Sequence, residues 1–243
     1  QKLLGNLVDK QAVLIEPKNF IGAVKDLIQF LWDIAISPAE WYKGLDTSDK
    51  GAVLTSLIPI IIILIAAFWL GLFLRRLIMK NWGYRAEVEN PRYGQKIMAA
   101  VFVAVAYGVI PALIIGGFLA WMIGSQIFSG SFLGIVLSSF LTYLLGVILA
   151  RAVARVTFAP YNEKWRLINV PTPKAIGIVH ALYLSIVLIG AVSLLEAVAA
   201  YAEYSQDLVN FLVVISCAVK TFCIILLVST VFREEEKPTE SER

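Results

Sequence analysis

Few side chains in this sequence could do chemistry, and those few lie in apolar surroundings. Lys220 stands inside the apolar run 208–232. An ammonium group within a bilayer is costly, and it marks ion, proton or lipid chemistry when a partner can be named. If the runs on either side of residue 204 form a hairpin, Glu196 lies near the depth of Asn210, about 15 Å from Lys220 along the axis. Lys220 is therefore expected to reach outward to Glu196 or to lipid headgroups, to face a wet crevice, or to be neutral. His180 is the single histidine. Without a Cys or carboxylate cluster around it, it cannot build a multi-histidine metal site. The expectation is a hydrogen-bonded histidine at a helix interface. Cys217 and Cys223 are six residues apart in one run and cannot bridge within a single helix. They read as small apolar packing residues.

Reaction motifs are missing. The sequence holds no phosphate-binding glycine loop, no H-E-x-x-H and no G-x-S-x-G. Paired aspartates, a serine with a base, or a zinc motif within the apolar runs would be needed for an intramembrane protease. The reading is a non-enzymatic chain with no cofactor and no metal.

One pattern is mechanical rather than chemical. Ala100, Ala104, Gly108, Ala112, Gly116, Ala120 and Gly124 place a small residue at every fourth position. Small residues let helix backbones approach closely in lipid, where no hydrophobic drive pulls helices together. The stripe drifts by about 40° per step on an ideal helix, so a partner following it would cross at an angle. It serves either packing within the chain or a face shared with a neighbouring subunit or gating helix.

These residues are positioned by long apolar elements. Of 243 residues, 59% are hydrophobic and 16% charged, against about 45–50% and 25% in soluble domains. Apolar runs at residues 54–74, 97–123, 132–150, 175–200 and 208–232 are each long enough to cross a bilayer. Arg75 and Arg76 are expected to stop the first, and Pro111 to kink the second. The fold class is all-α and polytopic, with about five transmembrane spans. Residues 1–53 read as an outer amphipathic region of one or two interfacial helices. There Ser37, Pro38 and Glu40 fit a capping box starting a new helix, and Trp32, Trp41 and Tyr42 suit the headgroup level. Residues 233–243 form a polar tail.

Orientation follows from lysine and arginine. One loop carries Arg75, Arg76, Lys80, Arg85, Arg92 and Lys96, and another carries Arg151, Arg155, Lys164, Arg166 and Lys174. The link 125–131 is uncharged, and the link after the fourth run carries Glu196, Glu203 and Asp207. This alternation predicts the amino end outside and the carboxyl end in the cytoplasm. The net charge of +3 is small, and its basic residues flank apolar runs. Membrane lipids are thus the expected partners, and nucleic acid is not. Arg75, Arg76, Lys80, Arg151, Arg155, Trp165 and Arg166 are the expected headgroup contacts.

Two stretches carry a resemblance. The first is FLRRLIMKNWGYRAEVENPRYGQKIMAAVFVAVAYGVIPALIIGGFLAW at 73–121, and the second is RAVARVTFAPYNEKWRLINVPTPKAIGIVHALYL at 151–184. Both resemble the membrane region preceding the pore in large bacterial mechanosensitive channels of the MscS superfamily. The most specific part is a basic helix end, Ala-Pro, a polar link and Trp-Arg-Leu. It is carried by Arg151, Arg155, Ala159, Pro160, Trp165, Arg166 and Leu167. The resemblance implies a multi-pass protein of the bacterial inner membrane, an accessory tension-sensing module, and a homo-oligomer in the full-length channel. It also implies a Gly/Ala-rich pore helix and a cytoplasmic β domain beyond Arg243, so the sequence is expected to be part of a longer protein.

Overall fold

The computed structural model describes residues 17–84, 88, 90–125 and 127–232, without the side chains of 17–20 and 47–49. Arg85 and the polar tail 233–243 lie outside the described residues. Among the described residues all regular structure is helical. In chain order the helices are α1 (Pro17–Gly44), α2 (Thr47–Trp82), α3 (Tyr93–Ser125), α4 (Phe132–Phe158), α5 (Thr172–Tyr201) and α6 (Gln206–Phe232). A 3₁₀ turn, Glu163–Trp165, lies between α4 and α5.

Five helices, α2 to α6, are long and apolar enough to span a membrane. Short links make neighbours antiparallel, so the basic loops gather at one end of the bundle and the neutral and acidic links at the other. Arg75 and Arg76 end the apolar run but not the helix, which continues to Trp82. Arginine is a good helix former, and a long cationic side chain leaves the bilayer by snorkelling rather than by ending the helix.

Among the described residues of the amphipathic region, 17–44 form one unbroken helix. Pro38 sits inside α1. A proline has no N–H for the carbonyl four residues back, here that of Ile34. The Ser37 hydroxyl donates to that carbonyl at 2.8 Å, so the helix continues through the proline. Ser37 thus bonds backwards and is no N-cap.

α1 packs across the acidic end of the bundle. Phe30, fully buried, joins Val198, Ala199, Leu208 and Leu212 in the main core cluster. Its ring meets Tyr204 edge-on at 4.9 Å. The Tyr204 hydroxyl donates to Asp33 at 2.6 Å, and Ser205 donates to Asp26 at 2.7 Å. Burial, and then the Asp33 carboxylate accepting its proton, push the Tyr204 phenol well above its ordinary range. The other face of α1 leaves Ile21, Ile28, Leu31 and Trp32 exposed. Tyr42 is also exposed, while Trp41 turns inward onto Phe128 at 4.8 Å.

The link into α4 is set by two glycines. Gly130 takes a left-handed φ of 70°. A Cβ on Gly134 would fall 2.3 Å from the Phe128 carbonyl oxygen. Ser131 caps α4 by accepting from the Gly134 N–H.

Candidate functional site

The small-residue stripe does not pack uniformly. α3 is α-helical at Tyr93–Ala104, π-helical at Val105–Val109 and α-helical again at Ile110–Ser125. The π turn lies directly before Pro111, whose ring would crowd the carbonyl four residues back in an unbroken α-helix. Widening that turn makes the room, so the kink expected at Pro111 takes the form of a π segment. On the basic side of this break Ala100 is buried, and so is Gly108 within the π turn. A Cβ on Gly108 would lie 2.8 Å from that of Ala152, so α3 and α4 touch nearly backbone to backbone there. Ala104, Ala112 and Gly116 are half-buried, and Ala120 and Gly124 are exposed. A Cβ on Gly116 or Gly124 would meet nothing within 4 Å.

Three helices converge beside the π turn. The Arg75 guanidinium of α2 lies 3.9 Å from the centre of the Tyr107 ring. The Arg155 guanidinium of α4 lies 4.1 Å from the same centre. Two like charges share one aromatic ring, whose π electrons attract each of them. Tyr84 lies nearby, its ring 5.8 Å from Trp165. Its buried hydroxyl has no hydrogen-bond partner among the described residues, and Tyr84 lines a cavity of about 50 Å³ with Tyr107 and Arg155. Burial pushes the Tyr84 phenol up to about 12, against the downward pull of Arg155.

The predicted headgroup residues divide into three groups. Arg76, Lys80 and Arg151 are exposed. Arg75 and Arg155 are half-buried and stack on Tyr107. Trp165 and Arg166, expected at headgroups, are instead buried. Arg166, 4% exposed, donates to the carbonyls of Ala159, Pro160 and Val170 and to the Thr172 hydroxyl. Thr172 in turn donates to Glu163. Arg166 is therefore the clip of the α4–α5 loop. It satisfies loop carbonyls, among them that of Ala159, which takes the left-handed conformation, φ 33°, that ends α4.

The intramembrane polar residues stay apart. Lys220 is exposed on α6, about 21 Å from the Gln206 end and 18 Å from the Phe232 end. In a hydrocarbon core about 30 Å thick it lies near the midplane. Glu196 is half-buried near the acidic end of α5. His180 is exposed and lines a cavity of about 330 Å³ between α4 and α5, with Arg151, Arg155 and Tyr183. Cys223 is buried against α5, Cys217 is exposed, and both are free thiols.

Tyr107, Tyr84 and Tyr183 were not singled out by the sequence. Arg75 and Arg155 reach Tyr107 from distant parts of the chain, so no local spacing marks it. No protein-family model, no curated protein and no solved structure matches this chain. What the chain is rests on its own residues: a multi-pass helical membrane protein with a cationic, aromatic-lined end.

Proposed function

We propose that this chain is the accessory membrane module of a mechanosensitive channel of the MscS-superfamily kind. It senses tension and anchors the assembly, as a non-enzymatic part of a homo-oligomer in the bacterial inner membrane. The amino end lies outside, and the basic loops face the cytoplasm. The observation that carries this reading is the unequal packing along α3: closed at Gly108 within the π turn, open at Gly116 and Gly124 beyond Pro111. A helix held closely along one half and loosely along the other has room for a second packing of different membrane area. Tension favours the packing of larger area in proportion to the area difference, a population shift that needs no bond chemistry.

Patch recording of the intact gene product tests this. Tension-gated current is expected, with a threshold that moves when Gly108 or Gly116 is replaced by leucine. Absence of current from inserted protein, or thresholds unmoved in correctly assembled variants, would sink the reading.

One observation favours a second reading, an assembly partner or transporter. Lys220 is exposed near mid-span, where a charge facing lipid costs about 2.5–3.5 kcal/mol or more. A partner helix or a wet path would relieve that cost. Lys220→Met separates the readings: loss of a transport activity or of a stable complex, with insertion retained, supports the second.

A further inference from the structure

Two cavities lie on one face of the α4–α5 pair. The larger, about 810 Å³, is lined from α4 by Ile135, Ser139, Thr142 and Gly146 and from α5 by Gly190 and Ser193, among others. The smaller, about 330 Å³, continues the same helical rows. On α4 the lining positions step from Tyr143 and Val147 to Arg151 and Arg155, and on α5 from Ile186 to Tyr183 and His180. Steps of three and four residues keep one helix face. The two cavities are therefore one groove running along the span.

Its two parts differ in chemistry. The long part presents a mostly apolar wall, and two of its hydroxyls turn to their own helix. Ser138 donates to the Ile135 carbonyl and Thr142 to that of Ser138. Small residues leave it open, and Tyr143 forms its floor. That ring lies where a Cβ on Gly190 would come within 2.2 Å, and its hydroxyl donates to the Val187 carbonyl. From Ile135 to Val147 the groove is about 18 Å long, the scale of an extended acyl chain. The short part holds Arg151, Arg155, His180, Tyr161 and Tyr183, with no carboxylate in its lining. The Arg151 guanidinium rests over the Tyr183 ring, 5.1 Å from its centre, and stays exposed.

We infer that this groove is a binding site for one anionic phospholipid. The phosphate sits between Arg151 and Arg155, with the Tyr161 hydroxyl and His180 at its edge, and an acyl chain lies along α4 and α5 toward Ile135. Charge at one end and an apolar trough of matching length at the other suit an amphiphile. A free phosphate would leave the trough unfilled, and a neutral lipid would leave two guanidinium groups without a counter-charge. The site stands whether the chain serves a channel or a scaffold.

The test is native mass spectrometry of the purified chain, titrated with phosphatidylglycerol or phosphatidylcholine of equal chain length. One phosphatidylglycerol is expected to be retained preferentially. Arg151→Gln should weaken its retention roughly fivefold, and Ser193→Leu should weaken it by filling the trough with no change of charge. Lys164→Gln, an exposed lysine on the same loop outside the groove, should leave it unchanged. Equal retention of the two lipids overturns the site, as does indifference to both groove variants in protein of unchanged helicity. Competition by glycerol 1-phosphate as strong as by the lipid would assign the cations to a soluble phosphate and overturn it too.

Discussion

Between Tyr93 and Val109, α3 buries Ala99, Ala100, Val103, Ala106 and Gly108, whereas between Ile110 and Ser125 it buries Met122 alone. Both halves are apolar and rich in small residues. The first meets α4 by its own backbone, at Gly108 against Ala152. The second also runs beside α4 and meets α2 through long side chains: Ile114 and Ile110 reach to 3.0 and 3.3 Å of where a Cβ on Gly71 would stand. Here the glycine that permits approach belongs to α2, and those of α3 face open space. A small-residue stripe is thus permission for close packing, and a neighbour must arrive to use it. At the basic end the neighbours are brought in by Tyr107, which binds α2 and α4 to α3 through two guanidinium groups.

Breaking the basic end should cost most at its loop. Arg166→Gln removes a buried guanidinium from three carbonyls and should destabilise the protein by about 3 kcal/mol. Thermal unfolding in detergent measures this, and an unchanged midpoint would remove the clip. The sharpest contrast comes next. Gly108→Leu should cost about 1–3 kcal/mol by overpacking against Ala152, and Gly116→Leu should stay within about 0.5 kcal/mol. Equal costs in the same melts would erase the difference between the halves. Tyr107→Leu leaves Arg75 and Arg155 facing each other and should cost about 1–2 kcal/mol, while Tyr107→Phe keeps the ring face and most of the stability. If both variants melt alike, the stacked cations contribute little.

The smallest effect is alkaline. The Tyr84 phenol is raised from 10.0 to about 12 in the folded state. A raised value means that folding favours the protonated phenol. Its contribution is fully present below pH 10 and is lost as pH rises toward 12. Stability should fall across that window, and Tyr84→Phe should flatten the fall. A slope unchanged by the substitution would place the titration elsewhere.

Much of the architecture was legible in the residues. The apolar runs, the basic loops at alternate links and the helical period of residues 20–34 each depend on short stretches of chain, and each is found as a helix or a helix end. The capping box at Ser37 was misread because Ser-Pro-x-Glu reads equally as a helix start or, with Ser37 bonded to Ile34, as a helix continuing through proline. Arg166 was misread because a cation near a membrane end normally faces headgroups, and its loop carbonyls are invisible until the loop is folded.

By itself the sequence determined the five membrane-capable helices and the gathering of cations at their alternate ends. Transfer into lipid is nearly a sum over neighbouring residues, so local composition suffices. Only the tertiary structure decided which half of the stripe is packed, which arginines stack and which clip a loop, and that α4 and α5 part to leave a groove. Contact attraction vanishes within about an ångström of added gap. Its outcome therefore depends on which distant segments meet, and on how closely.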